Sequence, residues 1–245
     1  MHKTVRDAKH NPDDNDIDEY ELYYGGNELR GTEETREKKA GPLSRRPSFA
    51  SAIPALSLSA IFIICTYMPE SHPFYDQLWA SREAVFSRHE YWRLITAILI
   101  HADSLHLLSN MPLFILFGFF LYEYFGFMLF PLISFATGVC SNIITLYFYP
   151  DSVRLAGSSG MIYGMAALWL VLYIYHDTDH TMPVKIFRST GFALIVLFPE
   201  TYNPATSYMA HAAGFAAGII FALASLRFVK IKTINGVHPG PPPVK

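Results

Sequence analysis

The sequence predicts an all-α membrane protein: a bundle of six transmembrane helices with a long interfacial loop between helices one and two. Three observations lead there. Apolar residues make up 51% of the 245 and aromatics 15%. Mean hydropathy is positive, too oily for an ordinary soluble domain of this size. The charges also crowd at one end, with 9 of the 19 Lys and Arg and 11 of the 21 Asp and Glu falling in residues 1–47.

Residues 1–46 are polar and poor in aliphatics, a composition that cannot bury enough surface to fold alone, and they read as a disordered tail. The tail has no apolar core, which excludes a secretory signal, and its many acids argue against a mitochondrial transit peptide. Residues 47–230 form the membrane domain. Residues 231–245, with Pro239-Gly240-Pro241-Pro242-Pro243, form a second short disordered tail.

A bilayer core of about 30 Å needs roughly 20 apolar residues of helix. Charge-free runs at 47–69, 124–150, 155–175 and 201–226 meet that length. The run 104–122 also qualifies, and extends backwards through Leu94-Ile95-Thr96-Ala97-Ile98-Leu99-Ile100 with only Asp103 interrupting. The fifth span is short, 189–199 between Arg188 and Glu200, unless Lys185 and Arg188 snorkel and lengthen it. Between spans one and two, residues 70–93 carry Pro73, Trp79 and Trp92 and read as a loop in the membrane interface.

Charge bias sets the orientation, because cytoplasmic loops collect Lys and Arg. Arg36, Lys38, Lys39, Arg45 and Arg46 precede span one. With six spans, Lys185, Arg188, Arg227, Lys230 and Lys232 join them, against Arg82, Arg88, Arg93 and Arg154 opposite. Both termini are therefore expected in the cytoplasm. A net charge of -2 offers nothing to a polyanion, so nucleic acid is not an expected partner; the bilayer is. Cys65 and Cys140 stand far apart in apolar runs, so no disulfide, metal or other cofactor is expected.

Polar residues inside spans are costly and are functional suspects by default. They gather in three places. His106 and Asn110, four apart, share a face of span two, with His101 near its outer end. Taken alone, that pair reads as a helix-to-helix hydrogen-bonding device. In Gly157-Ser158-Ser159-Gly160, glycines bracket a serine where a loop enters span four; Gly160 and Gly164 also form a small-residue pattern that serves close packing. His211, Gly214 and Gly218 line one stripe of span six.

A serine becomes a nucleophile beside a base, usually a neutral imidazole, so a meeting of Ser159 with His211 would supply chemistry. Placing them at one depth requires span five to cross. His106 and Asn110 then fall in the same layer, where two donors face an oxyanion. No acid is available to orient His211, which predicts a dyad, and Tyr163, one turn after Ser159, is placed to pack on the imidazole.

Together these residues resemble the rhomboid family of intramembrane proteases over about residues 50–230. Trp92-Arg93 resembles its Trp-Arg motif, His101, His106 and Asn110 its His-His-Asn pattern, and Gly157-Ser158-Ser159-Gly160 its Gly-x-Ser-Gly. His211, Gly214 and Gly218 match its final-span pattern, and Tyr163 its stacking aromatic. The resemblance implies a six-span rhomboid-like bundle, of the basic form found in a cell (inner) membrane. It implies hydrolysis of peptide bonds in or near the transmembrane segments of membrane-protein substrates. Ser159 would attack, His211 act as base, and His106, Asn110 and the Ser159 backbone hold the oxyanion. Span five and residues 199–207 would be gate and cap, and Glu123 structural. A catalytically inactive, client-binding relative is the alternative.

Overall fold

A computed structural model describes residues 41–44, 46–197, 207–229 and 231. Most of the expected N-terminal tail, nearly all of the C-terminal tail and the expected cap at 199–206 lie outside the described residues. Among the described residues five helical segments are long and apolar enough to cross a membrane: Phe49–Thr66, Ser104–Phe125, Met128–Phe148, Ser159–His176 and Tyr208–Ser225. The protein is an integral, multi-pass membrane protein.

Helix α1, Ile53–Thr66, follows a tight turn at Phe49–Ala52 and carries proline in its first turn, where no helical partner for its nitrogen is needed. Helix α2, Arg93–Leu99, and α3, Ser104–Phe125, are separate. The sequence reading joined them into one span. The break at Ile100–Asp103 has a local cause: Asp103 takes an extended conformation and its carboxylate accepts from the His106 amide at 2.8 Å, capping α3. Gly126, at φ 79°, ends α3.

Span three likewise begins with a distinct turn, Met128–Ile133, interrupted at Phe130, before α4, Ser134–Phe148. Helix α5, Ser159–His176, starts on the serine singled out by sequence. Helix α6, Met182–Leu197, precedes α7, Tyr208–Ser225. The charge-free run that marks the last span opens at 201, ahead of this helix. Ser207 caps α7, its hydroxyl accepting from the Ala210 amide at 3.2 Å. His211 therefore stands in the first turn of α7.

The closest helix pair is α5 with α7. A side-chain carbon on Gly214 would stand 1.9 Å from the Gly160 carbonyl oxygen, and one on Gly218 would stand 2.3 Å from that of Gly164. The partners advance together, so the two helices run parallel. The chain must therefore return the length of the bundle between them, and α6 lies on that return path. Helix α4 completes the centre by packing on both α5 and α7.

Outside the bundle, residues 67–92 form the interfacial loop. Its β1, Ala80–Ser81, pairs antiparallel with β2, Arg154–Leu155, which precedes the Gly157–Ser159 segment. The core runs through Phe62, Phe114, Phe117, Leu121, Phe130, Met161 and Met165, all buried.

Candidate active site

Gly157 is held by its amide, which donates to the Ala97 carbonyl at 2.8 Å. Its φ of +127° suits only glycine, and a side-chain carbon there would meet His106 Cε1 at 2.8 Å. The loop before Ser159 thus lies against His106 on α3. Two residues later the chain enters α5, and Gly160 lets α7 approach at the level of Ala210, whose carbonyl would be 3.3 Å from a Gly160 side-chain carbon. The first turns of α5 and α7, carrying Ser159 and His211, are consequently adjacent.

His211 is buried, and Tyr163 lies flat on it, ring centroids 3.9 Å apart at 15°. Ser159 and His211 share no hydrogen bond among the described residues. Such contacts often tighten only when substrate is bound.

His101 occupies the break between α2 and α3, buried and fully engaged. Its Nε2 accepts from the Ser158 hydroxyl at 3.0 Å and from the Ser158 amide at 3.3 Å. That leaves the proton on Nδ1, facing the Thr66 hydroxyl at 3.4 Å. The His101 ring meets that of His106 edge-on at 5.2 Å. His101 thereby ties α1 to the residue before Ser159.

Asn110 is buried on α3, and its amide nitrogen donates to the His106 carbonyl one turn back at 2.7 Å. Trp92 is half exposed at the surface. Arg93 is buried, donating to the Glu90 carboxylate and the Asp76 carbonyl and, at 3.1 Å, to the Trp79 carbonyl. Arg93 also opens α2, whose Ala97 carbonyl holds Gly157 in the Ser159 loop.

The sequence reading passed over span three, which supplies the floor of the site. Ser141 is fully buried and donates to the Ala210 carbonyl at 2.7 Å, its hydroxyl 2.2 Å from where a Gly160 side-chain carbon would be. Thr137 fills the same role beneath Gly164. Asn142 donates to the Leu94 carbonyl at 2.9 Å, fastening α4 to α2. The four-residue spacing of Thr137, Ser141 and Thr145 was the available signal.

A family model described as the Rhomboid domain matches residues 88–228. Among curated relatives, the putative rhomboid protease YdcA of Bacillus subtilis (strain 168) is 31% identical over 137 residues, covering 54% of this chain and 66% of that protein. RHOMBOID-like protein 2 of Arabidopsis thaliana is 27% identical over 134 residues, 55% of this chain and 42% of that protein. Rhomboid-like protease 3 of Toxoplasma gondii is 26% identical over 149 residues, 58% and 54% respectively. The matches thus span about half of this chain and between 42% and 66% of these relatives. Since the matched domain runs from the interfacial loop to the end of α7 and takes in each residue gathered around Ser159, the chain belongs to the rhomboid family.

Proposed function

We propose that the protein is an intramembrane serine endopeptidase that cleaves membrane-protein substrates in or near their transmembrane segments. The observation that supports this reading is the glycine-mediated contact of α5 with α7, which brings together the first turns carrying Ser159 and His211, with Tyr163 stacked on the buried His211 ring. In the reaction the His211 imidazole takes the Ser159 hydroxyl proton as the oxygen attacks the scissile carbonyl, then returns it to the leaving amine. The Ser159 amide, at the N-terminus of α5, is free of a helical partner and supports an oxyanion there, with His106 beside it. Asn110 joins them by exchanging its bond to the His106 carbonyl for one to the substrate oxygen.

The arginine and lysine distribution supports cytoplasmic termini, with α6 as the sixth crossing. Labelling with a fluorophosphonate tests the chemistry directly. The wild type is expected to label, and Ser159→Ala and His211→Ala to lose both labelling and cleavage of a transmembrane substrate while remaining folded. An unlabelled wild type would favour the client-binding alternative.

A further inference from the structure

Far from Ser159, at the other end of α5, the turn that leads into α6 is bound to the segment preceding α1. The Gly41 amide donates to both oxygens of the Asp179 carboxylate, at 2.7 and 2.9 Å, and the Ser44 hydroxyl donates to one of them. Residues 41–44 are folded for this contact, the Ser44 amide donating to the Gly41 carbonyl at 2.9 Å. The fit leaves no room at Gly41: a side-chain carbon there would stand 2.6 Å from Asp179 Oδ1 and 2.7 Å from Thr178 Oγ1. Leu43 packs on the hydrophobic core, so the segment is anchored on both sides.

The same turn is tied forward to α6. Asp177, buried at the end of α5, accepts from the Asp179 amide and from His180 Nδ1, each at 2.9 Å. His180 Nε2 in turn accepts from Arg188 on α6 at 2.7 Å. One further polar tie joins α6 to α5, Lys185 Nζ donating to the Ile174 carbonyl at 3.3 Å. Helix α6 packs on α5 and meets α3 at Phe117–Phe192, rings 5.8 Å apart, while Phe187 and Leu194 are largely exposed and Gly191 has nothing near it.

We infer that Asp179 is a positioning residue for α6: by binding the Gly41–Ser44 turn it holds the first turns of α6 against α5 and so restrains the opening through which a substrate helix reaches Ser159. The inference rests on the protease reading above. A ligand whose binding-competent state is only partly populated binds more weakly by that fraction, so releasing the restraint strengthens apparent substrate binding.

The test uses the full chain in proteoliposomes with two variants, Asp179→Asn and Gly41→Ala. Amide exchange in residues 182–194 is expected to quicken in both, with α5 and α7 unchanged. The KM for a transmembrane substrate is expected to fall about fivefold, at the low end of coupling between distant sites, with kcat and fluorophosphonate labelling of Ser159 unaltered. Unchanged exchange in α6, exchange quickened throughout the bundle, or an unaltered or raised KM would each overturn the inference. If the wild type neither cleaves nor labels, the protease reading fails instead, and the exchange data still decide whether Asp179 holds α6.

Discussion

The Tyr163 ring lies nearly parallel to the His211 imidazole, 3.9 Å between centroids and 15° between planes, and so restrains the plane of that ring. The two residues come from parallel helices that meet through Gly160 and Gly214, and the stack depends on that approach.

Removing the ring tests what the stack does. Aromatic contacts of this kind are worth about 0.5–1.5 kcal/mol beyond burial. Tyr163→Ala is expected to lower kcat about tenfold, equivalent to about 1.4 kcal/mol, by leaving the imidazole free to turn. Tyr163→Phe keeps the face and is expected to retain most of the activity. Steady-state cleavage of a transmembrane substrate by the two variants measures the difference; equal losses would assign the effect to the hydroxyl.

The small-residue seam is testable through folding. Gly214→Ala would place a methyl 1.9 Å from the Gly160 carbonyl oxygen, a backbone atom that cannot swing away. Overpacking of this sort costs about 1–3 kcal/mol, and thermal unfolding in detergent should show a clear fall in Tm. Gly191→Ala on α6, with nothing within 4 Å, is the control. It should hold or raise Tm, since alanine is the better helix former by about 1 kcal/mol. A lowered Tm for the control would mean that α6 is packed more tightly than its open surroundings indicate.

The helical membrane bundle was legible because it rests on a strong one-dimensional signal. Charge-free runs mark crossings, and a lone polar residue among them is conspicuous, as His211 is. The breaks were less legible. Leu94–Ile100 is as apolar as a span, and only the capping geometry of Asp103 separates α2 from α3. Ser141 and Thr137 escaped notice because hydroxyls are common in membrane helices and show their role only when a glycine on the neighbouring helix is seen against them. Asn110 was legible as polar and inward, but not that its amide would turn to its own helix.

The interfacial loop should respond to acid. A hydrogen bond from Arg88 is the main cause holding the Glu90 carboxyl below its usual value; burial opposes it and Arg93 adds to it. A depressed carboxyl contributes stability above its ordinary range, and that contribution is lost as pH falls through and below the range. Amide exchange across residues 76–93 is therefore expected to rise in that window, with Arg93 left only its two carbonyl partners, Asp76 and Trp79. Glu90→Gln should show the faster exchange already at neutral pH and lose the pH dependence. A variant that still responds to acid would move the titration to another group.

Asn110 offers the sharpest separation of two roles. In the present structure its amide serves α3, donating to the His106 carbonyl. If that is its whole role, Asn110→Ala affects Tm and leaves kcat nearly unchanged. If it turns to the oxyanion, the variant loses a donor felt only in the transition state, and such losses are typically about 100-fold or more in kcat with little change in KM. We expect the second pattern, with His106→Ala parallel to it and Ser109→Ala, whose hydroxyl also donates to the His106 carbonyl, serving as the local control. Fluorophosphonate labelling of Asn110→Ala should slow alongside kcat, because the phosphoryl oxygen occupies the same position as the oxyanion. Wild-type labelling in that variant would return Asn110 to a purely structural role.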